Sequence, residues 1–123
     1  MTACGRILLG LLAAASLLAC DSVELTIGAS PAADGALGVS NANDAAWADA
    51  RLLVEAVESD GSTTVCAEET VASWRPGETV TVPVCGDKLR LTLTTGGDTA
   101  RFVWANGQLY RKLGRKEIPM HGS

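Results

Sequence analysis

The chain has 123 residues, 47% hydrophobic and 20% charged, with fourteen acidic and ten basic side chains for a formal net charge of −4. That is chain enough for one small domain, and a modestly acidic total argues against nucleic acid as a partner. A single histidine and four cysteines leave few of the residues from which catalytic and metal sites are usually built.

The amino terminus carries the first organised signal. Arg6 precedes an apolar run from Ile7 to Ala19, broken only by Gly10 and Ser16. A basic residue followed by a short apolar run is the pattern of a cleavable export signal, and the run is shorter than the roughly 20 residues a bilayer span needs. The run closes on Leu17-Leu18-Ala19-Cys20, which resembles the lipobox of bacterial lipoproteins. The resemblance covers this segment only. It implies a signal peptide over residues 1–19, diacylation of Cys20, cleavage before it, and a single mature domain over residues 20–123 held at the cell membrane, facing the periplasm or the cell exterior. In enterobacterial lipoproteins an Asp after the lipid cysteine is similar to an inner-membrane retention signal, and Asp21 stands there.

Export agrees with the remaining cysteines. With Cys4 in the signal and Cys20 on the lipid, Cys66 and Cys85 are left as one pair in a compartment where disulfides persist. Neither belongs to a C-x-x-C pair, and the only histidine, His121, lies near the carboxyl end. A disulfide is therefore expected rather than a metal site.

After Cys20, Ser22 to Ile27 alternates, with Val23, Leu25 and Ile27 on one side, which predicts a strand. Residues 28–46 are rich in Ala, Gly, Ser and Asn and predict a flexible loop or linker. Trp47, Ala50, Val54 and Val57 fit a helical stripe, but the hairpin signal Asp60-Gly61 favours a strand over Arg51 to Val57, with a helical turn over 45–49. A two-residue turn at Asp60-Gly61 places Val54 opposite Ala67 and Ala56 opposite Val65.

Trp74-Arg75-Pro76-Gly77 predicts a turn. Val80, Val82 and Val84 then alternate up to the neighbourhood of Pro83, which marks an edge strand. Leu89, Leu91 and Leu93 alternate likewise, and turns at Gly96-Gly97 and Asn106-Gly107 follow. Two-residue turns at those positions put Leu91 opposite Phe102, and Leu89 and Leu109 both opposite Trp104. One apolar face results, backed by an outward face carrying Arg90, Thr92, Arg101, Val103, Tyr110 and Lys112. The expected fold is all-β: a small antiparallel sandwich of six or seven strands, immunoglobulin-like or transthyretin-like, ending in a basic tail over 114–123.

Charge divides along the chain. Asp21 to Glu69 holds ten acidic residues and one basic, Arg51, whereas Thr99 to Lys116 holds Arg101, Arg111, Lys112, Arg115 and Lys116 and no acidic residue. No nucleophile elbow, phosphate loop or metal-ligand spacing occurs, and Glu68 and Glu69, adjacent on a strand, point to opposite faces. The expected role is therefore non-enzymatic, without cofactor or metal: an accessory lipoprotein with the membrane as one partner and an envelope protein as the other. The candidate partner surface is Arg90, Arg101, Lys112, Arg115 and Lys116, with Trp74 beside its turn. A lipoprotein that binds a small molecule or glycan is the alternative. In architecture alone the chain resembles the small β-sandwich lipoproteins that pilot secretins.

Overall fold

A computed structural model describes residues 24–120. The signal segment, Cys20, Asp21, Ser22 and Val23 of the strand expected from Ser22, and His121 lie outside the described residues. Nine strands form two antiparallel sheets. β1 (Ile27–Pro31), β2 (Leu37–Asn41) and β5 (Thr79–Val82) make a three-stranded sheet in the order β1-β2-β5. β3 (Trp47–Val57), β4 (Thr63–Trp74), β6 (Lys88–Thr95), β7 (Asp98–Ala105), β8 (Gln108–Leu113) and β9 (Lys116–Pro119) make a six-stranded sheet in the order β4-β3-β6-β7-β8-β9.

The core forms where alternation supplies apolar residues to both inner faces. Cross-strand rows run Val54–Leu91–Phe102, Leu52–Leu93–Ala100 and Ala56–Leu89–Trp104–Leu109 in the large sheet. Ile27, Ala29, Leu37, Val39 and Val82 face them from the small sheet. All of these side chains but Ala56 belong to one packed cluster, so the molecule is an all-β sandwich. The pairings expected from the Gly96-Gly97 and Asn106-Gly107 turns are all present. Asn106 and Gly107 both take positive φ, 55° and 72°, as a type I′ hairpin turn requires. β5 is an edge strand and stops at Val82, before Pro83.

Several expectations are corrected. Residues 28–46 are not a linker: most of β1, a 3-10 turn at Ala33–Gly35 and the whole of β2 lie there. Small residues are what close packing of this sheet demands, since a Cβ on Gly38 would meet Thr79 Cγ2 at 3.0 Å. Of the strand expected from Ser22, Glu24 to Thr26 are not in a ladder and β1 begins at Ile27, although Leu25 and Ile27 are both buried as their alternation requires. Residues 45–49 make no helical turn; β3 starts at Trp47. Residues 114–123 are not simply a tail, because Gly114, at φ 62°, opens a hairpin turn into β9, which pairs Lys112 with Glu117.

The β3–β4 hairpin differs from its expected register by one residue near the turn. Glu58 N–H donates to Ser62 C=O and Gly61 takes φ 89°, so three residues, Ser59 to Gly61, form the loop. Val57 then pairs with Thr63 and Ala56 with Thr64, not Val65. A bulge at Cys66 restores the expected pairing of Val54 with Ala67.

Farther along, Asp49 takes φ 49° and the alternation of β3 reverses, so that Trp47 turns inward opposite Trp74. The two indoles meet edge to face, centroids 5.3 Å apart. Trp74 is 0% exposed and donates its Nε1–H to Glu78 C=O at 2.7 Å. It is a core residue, and its expected place on a partner surface is withdrawn.

Asn41 secures the same end. Only 2% exposed, it donates Nδ2–H to the Trp74 and Ala45 carbonyls at 2.8 and 3.0 Å and accepts from Asn43 N–H at 2.8 Å. One amide thus satisfies three backbone groups, two in the β2–β3 connection and one at the end of β4. Cys66 and Cys85 form a disulfide with Cα atoms 6.3 Å apart. It ties the β4 edge of the large sheet to the loop that leaves the small one.

Candidate functional site

Period two in β3, β6, β7 and β8 sends a second set of side chains away from the core. Cross-strand neighbours there are Glu55, Arg90, Val103, Tyr110 and Pro119 in one row, and Leu53, Thr92 and Arg101 in the next. Leu53, Glu55, Arg90, Thr92, Arg101, Lys112 and Gly114 line a one-sided depression of about 470 Å³ on this face. Its floor is a half-buried leucine and a threonine, and its rim carries three cations and one carboxylate.

The cations are not equivalent. Arg90 Nε donates to Glu55 Oε1 at 3.2 Å in the most sheltered ion pair of the face, and Glu55 also accepts from Thr63 Oγ1 at 3.0 Å. That pairing occupies Arg90 and Glu55 with each other. Lys88 of β6 reaches Glu117 of β9 at 3.1 Å, across two intervening strands, so the face is concave. Val103, outward by parity yet 2% exposed, lies on β7 between them.

Among the described residues, Arg51, Arg75, Lys88, Arg90 and Arg111 have carboxylate partners, whereas Arg101, Lys112, Arg115 and Lys116 have none. All four fall on β7, β8, β9 and the turn joining the last two. Arg101 and Lys112 stand at the depression; Arg115 and Lys116 lie beyond it at the β8–β9 turn. The structure thus gathers Arg90, Arg101 and Lys112, leaves Arg115 and Lys116 beside them, and removes Trp74.

Arg111, the remaining cation of this stretch, is on the other face. It sits opposite Phe102 with its guanidinium 5.0 Å from the ring centroid. Its Nη2 donates to Leu25 C=O at 2.8 Å and to Thr26 Oγ1 at 3.2 Å, and Glu24 Oε2 is 3.9 Å from Nε. Asn43 completes the hold, accepting from Thr26 N–H and donating to Glu24 C=O, both at 3.0 Å. Sequence reading missed this clamp, although the odd parity of Arg111 within β8 was a sign that it points inward.

No group of three or more His, Cys, Asp or Glu side chains that could hold a metal occurs among the described residues. Glu68, exposed, is paired with Arg51 at 3.3 Å. Compared with known proteins, the chain matches no family model, no curated protein and no solved structure.

Proposed function

We propose that this protein is a non-enzymatic accessory lipoprotein of the bacterial cell envelope, anchored through acylated Cys20 and presenting the outer face of its large sheet to a protein partner. The observation that carries the reading is the segregation of charge: four cations without carboxylate partners among the described residues fall on β7 to β9, two of them at a shaped depression. Cations that contribute nothing to the core and repel one another at close range gain most when an acidic surface covers them. A sheet face is suited to such a surface, because its backbone is already ordered before binding. The depression is one-sided and rimmed by charge, which suits an extended partner surface better than an enclosed apolar ligand.

Two measurements test the two halves. Cys20→Ser should block acylation and leave the precursor uncut; a mutant still cleaved after Ala19 overturns the anchor. A photo-crosslinking residue at Thr92, on the depression floor, should yield one recurrent protein adduct in native membranes, lost in Arg101→Glu/Lys112→Glu. The same group at Thr81, exposed on the small sheet, is the control. Equal adducts from both positions, or none from Thr92, overturn the partner surface.

A further inference from the structure

The amino-terminal clamp and the basic hairpin lie at the same end of the sandwich. Ile27 at the start of β1 pairs with Asn41, and Asn41 bonds Trp74 at the end of β4. In the large sheet that end is where β3 begins, where β6 turns into β7, and where β8 turns into β9. The clamp itself sits on β8: Arg111, its side chain only 13% exposed, fixes Leu25 and Thr26. From Arg111 to Gly114 is three residues of strand, or about 10 Å. From Cys20 to Glu24 is four peptide steps, a span of at most about 14 Å. Those lengths bring a lipid on Cys20 within reach of the β8–β9 turn.

That turn has the composition of a surface contact. Leu113 is 52% exposed, an apolar side chain projecting beyond the core, and Gly114 is followed by Arg115 and Lys116, both exposed and without carboxylate partners among the described residues. The nearest carboxylate in sequence, Glu117, is taken by Lys88 at 3.1 Å. An apolar residue flanked by cations, held within a tether's length of acyl chains, matches the boundary between anionic head groups and hydrocarbon.

We infer that the β8–β9 turn docks on anionic phospholipid, through Leu113, Arg115 and Lys116, and so fixes the orientation of the domain on the membrane. The inference rests on the lipid-anchor reading above. With the turn against the head groups, the Asn106-Gly107 and Asp60-Gly61 turns at the opposite end of the large sheet point away from the bilayer, and the depression stands upright beside it. The lipid thus supplies residence at the membrane, and the turn supplies direction.

The test uses the full lipidated protein, spin-labelled at Leu113→Cys and reconstituted in phosphatidylcholine vesicles with or without three parts in ten of phosphatidylglycerol. Accessibility to oxygen and to a water-soluble nickel chelate reports depth. The label should enter the interface in anionic vesicles and return to water in neutral ones or in high salt. Each basic residue near an anionic surface changes the docked-to-undocked ratio by about fivefold, so Arg115→Gln/Lys116→Gln should lower it by about 25-fold. A protein that does not sediment with vesicles at all fails the anchor. One that sediments while its label stays in water in both compositions overturns the docking. A label protected only in native membranes overturns it too, and assigns the turn to a protein interface.

Discussion

Asn41→Leu isolates the buried amide that joins the two sheets. Leucine keeps the branching and heavy-atom count of asparagine but is bulkier, so three hydrogen bonds vanish and any overpacking adds to the loss. The Trp74 carbonyl loses its side-chain donor in a fully buried position, at a cost of about 1–3 kcal/mol. The Ala45 carbonyl and the Asn43 N–H are half-buried and regain water in part, at about 0.5–1 kcal/mol each. Greater burial of apolar surface offsets about 1 kcal/mol, which leaves a net loss of about 1–4 kcal/mol, with a midpoint of about 2.5. A domain near 100 residues shifts its melting temperature by about 4–8 °C per kcal/mol, so a fall of about 10–20 °C is expected. Urea unfolding followed by tryptophan fluorescence should show a lower midpoint with an unchanged slope. A loss under about 1 kcal/mol would show that Asn41 is not what satisfies this end of the sandwich.

Three further outcomes are expected. Cys66→Ser/Cys85→Ser opens a loop of about 20 residues and should cost about 3 kcal/mol on the chain-entropy estimate; thiol titration of the denatured, unreduced wild type should find neither cysteine. Arg111→Met should cost about 2 kcal/mol through its bond to Leu25, and hydrogen exchange should quicken at Thr26, whose N–H the clamp holds. The Asp60 carboxyl is held below the usual aspartate range, first by the Ser62 hydroxyl and then by the Ser62 N–H. Its contribution to stability is therefore present above the ordinary aspartate pKa and is lost as pH falls through the lowered value. An NMR titration should place Asp60 below an unperturbed aspartate in the wild type and return it toward that value in Ser62→Ala.

How legible the molecule was in sequence depended on side-chain size. The β6–β7–β8 meander could be read residue by residue because Leu89, Leu91, Leu93, Phe102 and Trp104 alternate plainly and two strong turn dipeptides fix the pairing. β1 and β2 were hidden because their outward positions are Gly28, Ser30, Gly38 and Ser40, a composition shared with linkers; only Leu37 and Val39 hinted at period two. β9 offers one large apolar residue, Ile118, in an exposed edge strand, and alternation has nothing to mark. Trp74 was misplaced because the reversal at Asp49 is a backbone event with no periodic signature. The basic residues of the depression were found, since parity alone brings Arg90, Arg101 and Lys112 to one face. Which of them lack partners was not visible, because Glu55 is 35 residues from Arg90 in sequence.

The bulge at Cys66 gives the disulfide a second role, as a check on strand register. Asp60-Gly61 alone also permits a two-residue turn without a bulge, and in that alignment Cys66 falls opposite Glu55, on the outward face with Arg90. In the observed hairpin the longer loop and the bulge turn Cys66 against the core cluster, where Cys85 meets it. The two alignments coincide from Val54 and Ala67 onward, so packing beyond that point does not distinguish them. The bridge does, because only the bulged hairpin brings the two sulfurs together. Formation of the bridge would thus act as proofreading, retaining one of two hairpins that the turn sequence by itself permits.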